Sequence, residues 1–212
     1  MAQGANDQKL FERVHDDIYS NLYHEAIPSR RFITVEAQQS IWKREGRMVT
    51  VAQHLRLDHD TLRTVEDSLL TTMSILVYIR WSGWERFKHI FNLHPDHASK
   101  QVRNDSRVMD YTFEELCAKN FFDKRSTARD FVDNRAVFLP LHIDEGSVVE
   151  ADETRRLPFI NSDQGETNVI GEGFYGKVTK EVVAALHFRD KSGLSANLVG
   201  IFKIENYFAN LL

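Results

Sequence analysis

Residues 170–178, Ile-Gly-Glu-Gly-Phe-Tyr-Gly-Lys-Val, follow the pattern G-x-G-x-x-G-x-V, with glycines at Gly171, Gly173 and Gly176. A glycine has no Cβ, so the backbone amides around it can approach an anion closely and cradle phosphate groups. Two nucleotide-binding arrangements share this spacing. In one of them a strand leads into the glycines and a helix leaves them. Here the segment that leaves is Val178-Thr-Lys-Glu-Val-Val183, rich in β-branched residues, which predicts a second strand. Strand, glycine turn, strand suits a loop folded over the β- and γ-phosphates of a nucleoside triphosphate. Ile170 and Val178 would then form an apolar lid over an adenine ring, with Phe174 and Tyr175 at the tip of the turn. The competing possibility is an ordinary glycine hairpin.

Other residues able to do chemistry are spread thinly. The densest histidine spots are His94-Pro-Asp-His97 and Asp58-His59-Asp60, and neither has H-E-x-x-H spacing. Both are expected to be solvated loop and cap residues, with Asp60 opening a helix, so no metal site is assigned. The single cysteine, Cys117, excludes an intrachain disulfide and a thiolate-rich metal site. It fits a reducing compartment, and Cys117 itself reads as a small buried core residue. Trp42, Trp81 and Trp84, with Phe87 and Phe91, recur at helical spacing and are expected in a core rather than on a peptide-binding surface. The basic pairs Arg30-Arg31 and Lys43-Arg44 read as solvated faces.

The elements that must carry these residues change character along the chain. Leu10, Phe11, Val14, Ile18, Leu22 and Ala26 step by three and four, which predicts an amphipathic helix over residues 8–26. Thr34 can cap a shorter helix through Trp42 that Gly46 ends. The clearest period runs from Asp60 through Leu62, Val65, Leu69, Met73 and Leu76 to Ile79. Ser82-Gly-Trp-Glu85 and Thr112-Phe-Glu-Glu115 both fit capping boxes, in which hydroxyl and carboxylate satisfy orphan amides reciprocally. A further helix is expected over Ser126–Asn134. Ala136–Ile143 is β-prone, but Pro140 allows only an edge strand or extended segment there.

The fold class expected is therefore α+β. A mainly helical module covers residues 1–143, a solvated acidic linker 144–164 and a small antiparallel β piece 165–212. Such a piece is marginal unless something covers its apolar face.

The chain has 212 residues with a net charge of −4, so it carries no global basic footprint for nucleic acid. Asp144, Glu145, Glu150, Asp152, Glu153, Asp163 and Glu166 are opposed only by Arg155 and Arg156, which concentrates the negative charge in one stretch. The first residues lack the basic and apolar regions of a secretory signal. The most apolar window, Leu69–Trp81, is too short and too polar to span a bilayer. No membrane partner and a cytoplasmic location are expected.

Beyond the loop, Leu157-Pro-Phe-Ile160 and Asn168–Val183 together resemble a large group of filamentous-fungal protein kinases, in which a helical region precedes the catalytic domain. Arg30-Arg-Phe, Met73–Ile79, Trp84-Glu-Arg-Phe87 and Ala136–Pro140 are looser matches to that helical region. The resemblance covers most of the chain to about residue 188. It implies ATP as the ligand, Mg²⁺ with it, and Ser/Thr phosphorylation as the family's activity. It also implies a β3 lysine holding the α- and β-phosphates. Lys203, in Leu198-Val-Gly-Ile-Phe-Lys-Ile204, is the candidate, although Gly-Ile-Phe stands where V-A-I would. The alternative is that the tail after about Leu198 is unrelated sequence.

The chain stops nine residues after Lys203, which leaves no room for the αC glutamate, H-R-D, D-F-G or A-P-E. His187-Phe-Arg-Asp190 and Asp130-Phe-Val132 are decoys: one stands too close to Gly176, and the other precedes the loop and lacks the glycine. No catalytic residue and no metal ligand is therefore assigned, and no phosphoryl transfer is expected from this chain alone. The second expectation, from a different class, is a non-catalytic helical module that binds a protein partner and carries a remnant glycine hairpin.

Overall fold

The computed structural model describes residues 2–24, 31–91, 93, 104–149, 156–160, 169–173, 176–184, 187–190 and 198–205. They form a mixed α and β structure of two compact units. The first comprises Met1–Leu22 and Val35–Phe138, and the second Tyr23–Thr34 and Leu139–Leu212.

The first unit is helical. Its elements are α1 (Ala2–Ser20), α2 (Val35–Lys43), α3 (Arg47–Leu55), α4 (His59–Ser68), α5 (Leu70–Tyr78), α6 (Phe87–Ile90), α7 (Asp105–Met109), α8 (Phe113–Ala118) and α9 (Arg125–Phe138). Helix α5 is buried on nearly every side, with Thr72–Val77 all inside. It packs against α1, α2, α7 and α9, as a helix that is apolar all round must. Trp42, Phe87, Phe91, Phe121, Phe131 and Phe138 are all fully buried in this unit. Its buried hydroxyl at Ser74 is satisfied twice, accepting from Trp42 Nε1 at 2.9 Å and donating to the Leu70 carbonyl at 2.8 Å. The tryptophans and phenylalanines expected in a core are there, Trp81 and Trp84 included.

Several local expectations shift. The long helix expected from Asp60 is two helices, broken at Leu69 (φ −133°, ψ 12°), and its cap is Asp58, whose carboxylate accepts from the Thr61 amide at 2.8 Å. The break is stable because the first amides of α5 have an acceptor from elsewhere in the chain: Asp105 takes those of Thr71 and Thr72. Residues 82–85 make no capping box. Gly83 precedes a 3-10 turn, Trp84–Arg86, and a Cβ there would lie 2.7 Å from Trp81 Cζ2, so the Trp81 ring sets the local path. The second expected box is present, with Thr112 and Glu115 each accepting from the other's amide. Helix α1 ends at Ser20 rather than near residue 26, and α9 runs on to Phe138 instead of ceding Ala136–Phe138 to an extended segment. Cys117 is half-buried rather than buried.

The second unit holds β1 (Tyr23–His24) and β2 (Arg31–Phe32), which form an antiparallel pair. It also holds β3 (Ile143–Asp144), β4 (Phe159–Ile160), β5 (Val169–Gly173), β6 (Gly176–Val183), β7 (Phe188–Arg189) and β8 (Leu198–Glu205). Strand β6 is the spine. All eight of its residues pair with β8 along one edge, and β5 and β4 lie end to end along the other.

The expected all-antiparallel piece is not quite what forms, because β3 and β7 make a parallel ladder beside this sheet. Part of the cover that the sheet needed comes from the segment expected to be a solvated linker, which supplies Phe159, Val149 and Leu157. Ile143 and Phe159 bury with Val183 and Phe188, and Val149 and Leu157 pack against them. Pro140 forms a parallel bridge with Arg156, and the Leu141 amide donates to the Arg156 carbonyl at 2.8 Å. Residues 139–143, expected with the helices, lie in this second unit.

Candidate functional site

The glycine-rich residues form the expected hairpin. β5 runs into it and β6 runs out, with Gly173 paired to Gly176 across the close of the turn. Phe174 and Tyr175, expected at its tip, lie outside the described residues. The β-branched pairs Val178-Thr179 and Val182-Val183 favour the strand, and β8 holds it from the far side.

Registers on the two flanks of β6 define one transverse row. Gly171 on β5 is opposite Val178 on β6, and Val178 is opposite Lys203 on β8. At the usual strand spacing, Gly171 and Lys203 are about 10 Å apart at the backbone. Three residues that lie 7 and 25 positions apart in sequence thus share a line.

The register slips between Val169 and Gly171, so Ile170 is the extra residue of a β-bulge. Bulges re-aim side chains and are common beside binding sites. Ile170 is 57% exposed, an unusual state for an isoleucine in a sheet, while Val178 is half-buried. Among the described residues an added Cβ at Gly171 would meet nothing within 4 Å. None of them fills the space over Gly171 that a cradle for phosphates requires, and the residues fit the ligand implied for them to that extent.

A second polar feature of this unit was legible only as the head of the rejected His187-Phe-Arg-Asp190 decoy. The His187 side chain is fully buried, with Nδ1 3.3 Å from the Leu141 carbonyl and its ring stacked on that of exposed His142 at 4.9 Å. Burial, and then the neighbouring His142, push the His187 pKa down to about 4. Nothing in its spacing marks this histidine. Its only signal is a position just after the apolar run Val182–Leu186.

Of the other candidates, the His59 and Asp60 side chains are solvated at 89% and 103% exposure, and His94 and His97 lie outside the described residues. Among the described residues no three His, Cys, Asp or Glu side chains cluster in a way that could hold a metal ion. No helix among them is long and apolar enough to cross a membrane. Comparison of the chain with protein-family models, with curated proteins and with solved structures finds no match.

Proposed function

We propose that this chain is a protein-kinase-like, ATP-binding protein and that the hairpin of β5 and β6, with β8, is its nucleotide site. One observation carries the proposal: the row Gly171, Val178, Lys203, which brings a phosphate-cradling glycine, an apolar adenine contact and the candidate lysine onto adjacent strands. The bulge that exposes Ile170 and the space that the described residues leave over Gly171 support it further. In this reading the backbone amides from Gly171 to Gly176 hold the phosphates, Ile170 and Val178 cover the base, and Lys203 neutralises the α- and β-phosphates.

Ser/Thr phosphorylation is the activity that the resemblance implies for the family. The 212 residues hold no H-R-D and no D-F-G sequence, so what is proposed for them is nucleotide binding, with no step assigned to a metal ion. Calorimetric titration with Mg·ATP tests it. Saturable binding that disappears on Gly173→Asp and weakens on Lys203→Met supports the site. No heat from a folded protein leaves the helical interaction module as the better account. Radiometric turnover above that of Gly173→Asp would overturn the restriction to binding.

A further inference from the structure

His187 sits where β3 pairs with β7 inside the second unit. Its carbonyl accepts from the Ile143 amide at 2.8 Å, and one step on the Arg189 carbonyl accepts from Glu145 at 2.9 Å. These bonds make the β3–β7 ladder, and with it Ile143 is held against Val183 and Phe159.

The ring chemistry at this point is one-sided. A carbonyl oxygen only accepts, so the contact with Leu141 requires the proton of the neutral imidazole on Nδ1. Nε2 is then a bare acceptor, buried with no hydrogen-bond partner among the described residues. A second proton would create a buried N–H⁺ without an acceptor, beside the ring of His142.

We propose that His187 is a proton-sensitive latch: protonation opens the β3–β7 ladder and releases the segment around Leu141–Val149 from the β unit. The titratable and charged groups on the paired segments decide the sign. On the 139–149 segment these are His142, in ring contact, then Asp144 and Glu145; on β7 it is Arg189; beside Leu141 it is Arg156. Asp144 lies 3.9 Å from Arg189 Nε, and both are exposed, so its charge is directed to that partner and to solvent. Among the described residues no carboxylate is hydrogen-bonded to the His187 ring, which bonds there with Leu141. The released state restores the ordinary imidazole pKa of 6.5. The open form therefore binds the proton and the closed form does not, and acid favours opening between pH 6.5 and about 4. The latch does not rest on nucleotide binding.

Amide hydrogen exchange of the intact chain at pH 7, 6 and 5 tests it, with rates corrected for the intrinsic pH dependence. Protection of the Ile143 and Glu145 amides is expected to fall by up to about tenfold per pH unit below 6.5, while that of Met73 in α5 does not fall. Equal protection across the series, or an equal fall at Met73, would overturn the proposal. His187→Phe should flatten the dependence, and a slope retained in that variant would also overturn it. Should His187→Phe fail to fold, the wild-type series decides alone.

Discussion

Asp105 Oδ1 accepts hydrogen bonds from both the amide and the hydroxyl of Thr72, at 2.8 and 2.5 Å, while Oδ2 accepts from the Thr71 amide at 2.9 Å. One carboxylate from α7 thus caps the most buried helix of the first unit from 33 residues away. Replacing it with alanine strands two amides and a fully buried hydroxyl. Asp105→Ala should cost about 2–3 kcal/mol, and Asp105→Asn, which keeps one acceptor, clearly less. Urea midpoints check the order, and equal losses would refute it.

The same residue sets a pH dependence. Burial raises the Asp105 pKa above its ordinary 3.8, against the pull of its hydrogen bonds to Thr72 and Thr71. A carboxyl raised on folding stabilises fully below its unfolded pKa, and that contribution fades as pH climbs through the folded value. The stability gap between wild type and Asp105→Asn should therefore be widest in acid and narrow toward neutrality. A gap that widens with pH would contradict the assignment.

Thr112→Ala removes the acceptor for the Glu115 amide at the start of α8 and should cost about 1 kcal/mol, with Thr112→Ser close to wild type. Glu115 behaves in the opposite sense to Asp105. Hydrogen bonds from Thr112 hold its pKa below 4.5, so its share of the box is present above that pH and is lost as pH falls through the folded value. Chemical denaturation at pH 7 and pH 4 reads both effects.

Phe159 is 6% exposed in the core under β6, although it lies within the acidic stretch. Phe159→Ala should cost about 3–5 kcal/mol in the second unit. Hydrogen exchange at the Val182 and Val183 amides should speed up by two orders of magnitude or more. Unchanged protection there would mean that the sheet does not depend on this cover.

Gly171→Ala separates ligand from fold. The described residues leave the space over Gly171 open, so the variant should keep its thermal midpoint or gain up to about 1 kcal/mol from the lost glycine entropy. If the proposed nucleotide site holds, its affinity for Mg·ATP should nonetheless fall, because the methyl would occupy space the phosphates need. Undiminished affinity would remove Gly171 from the site.

The hairpin was legible because it is a local object: three glycines at fixed offsets and a β-branched run are short-range signals, and β5 and β6 need only each other to pair. The Thr112–Glu115 box was legible for the same reason. The α4–α5 break was not, since its acceptor, Asp105, lies in a polar stretch that carries no periodic signal. Helices α3 and α5 also end without glycine. Arg56 and Arg80 take left-handed turns (φ 53° and 54°), and the amides of Leu57 and Trp81 close back onto Ala52 and Leu76, both at 2.8 Å. At Trp81, burial of the ring accompanies the strained turn.

By itself, then, the amino-acid order determined the helical and β character of the two parts, the aromatic core positions and the glycine turn, all of which follow from spacing within a few residues. Tertiary structure alone decided three things. It set Lys203 opposite Val178, turned Ile143 at the edge of an acidic stretch and Phe159 within it into the cover of a sheet, and buried His187 with one nitrogen unpaired among the described residues. Each depends on strand register or on a long-range partner, and register is fixed by which apolar faces bury together rather than by any local pattern.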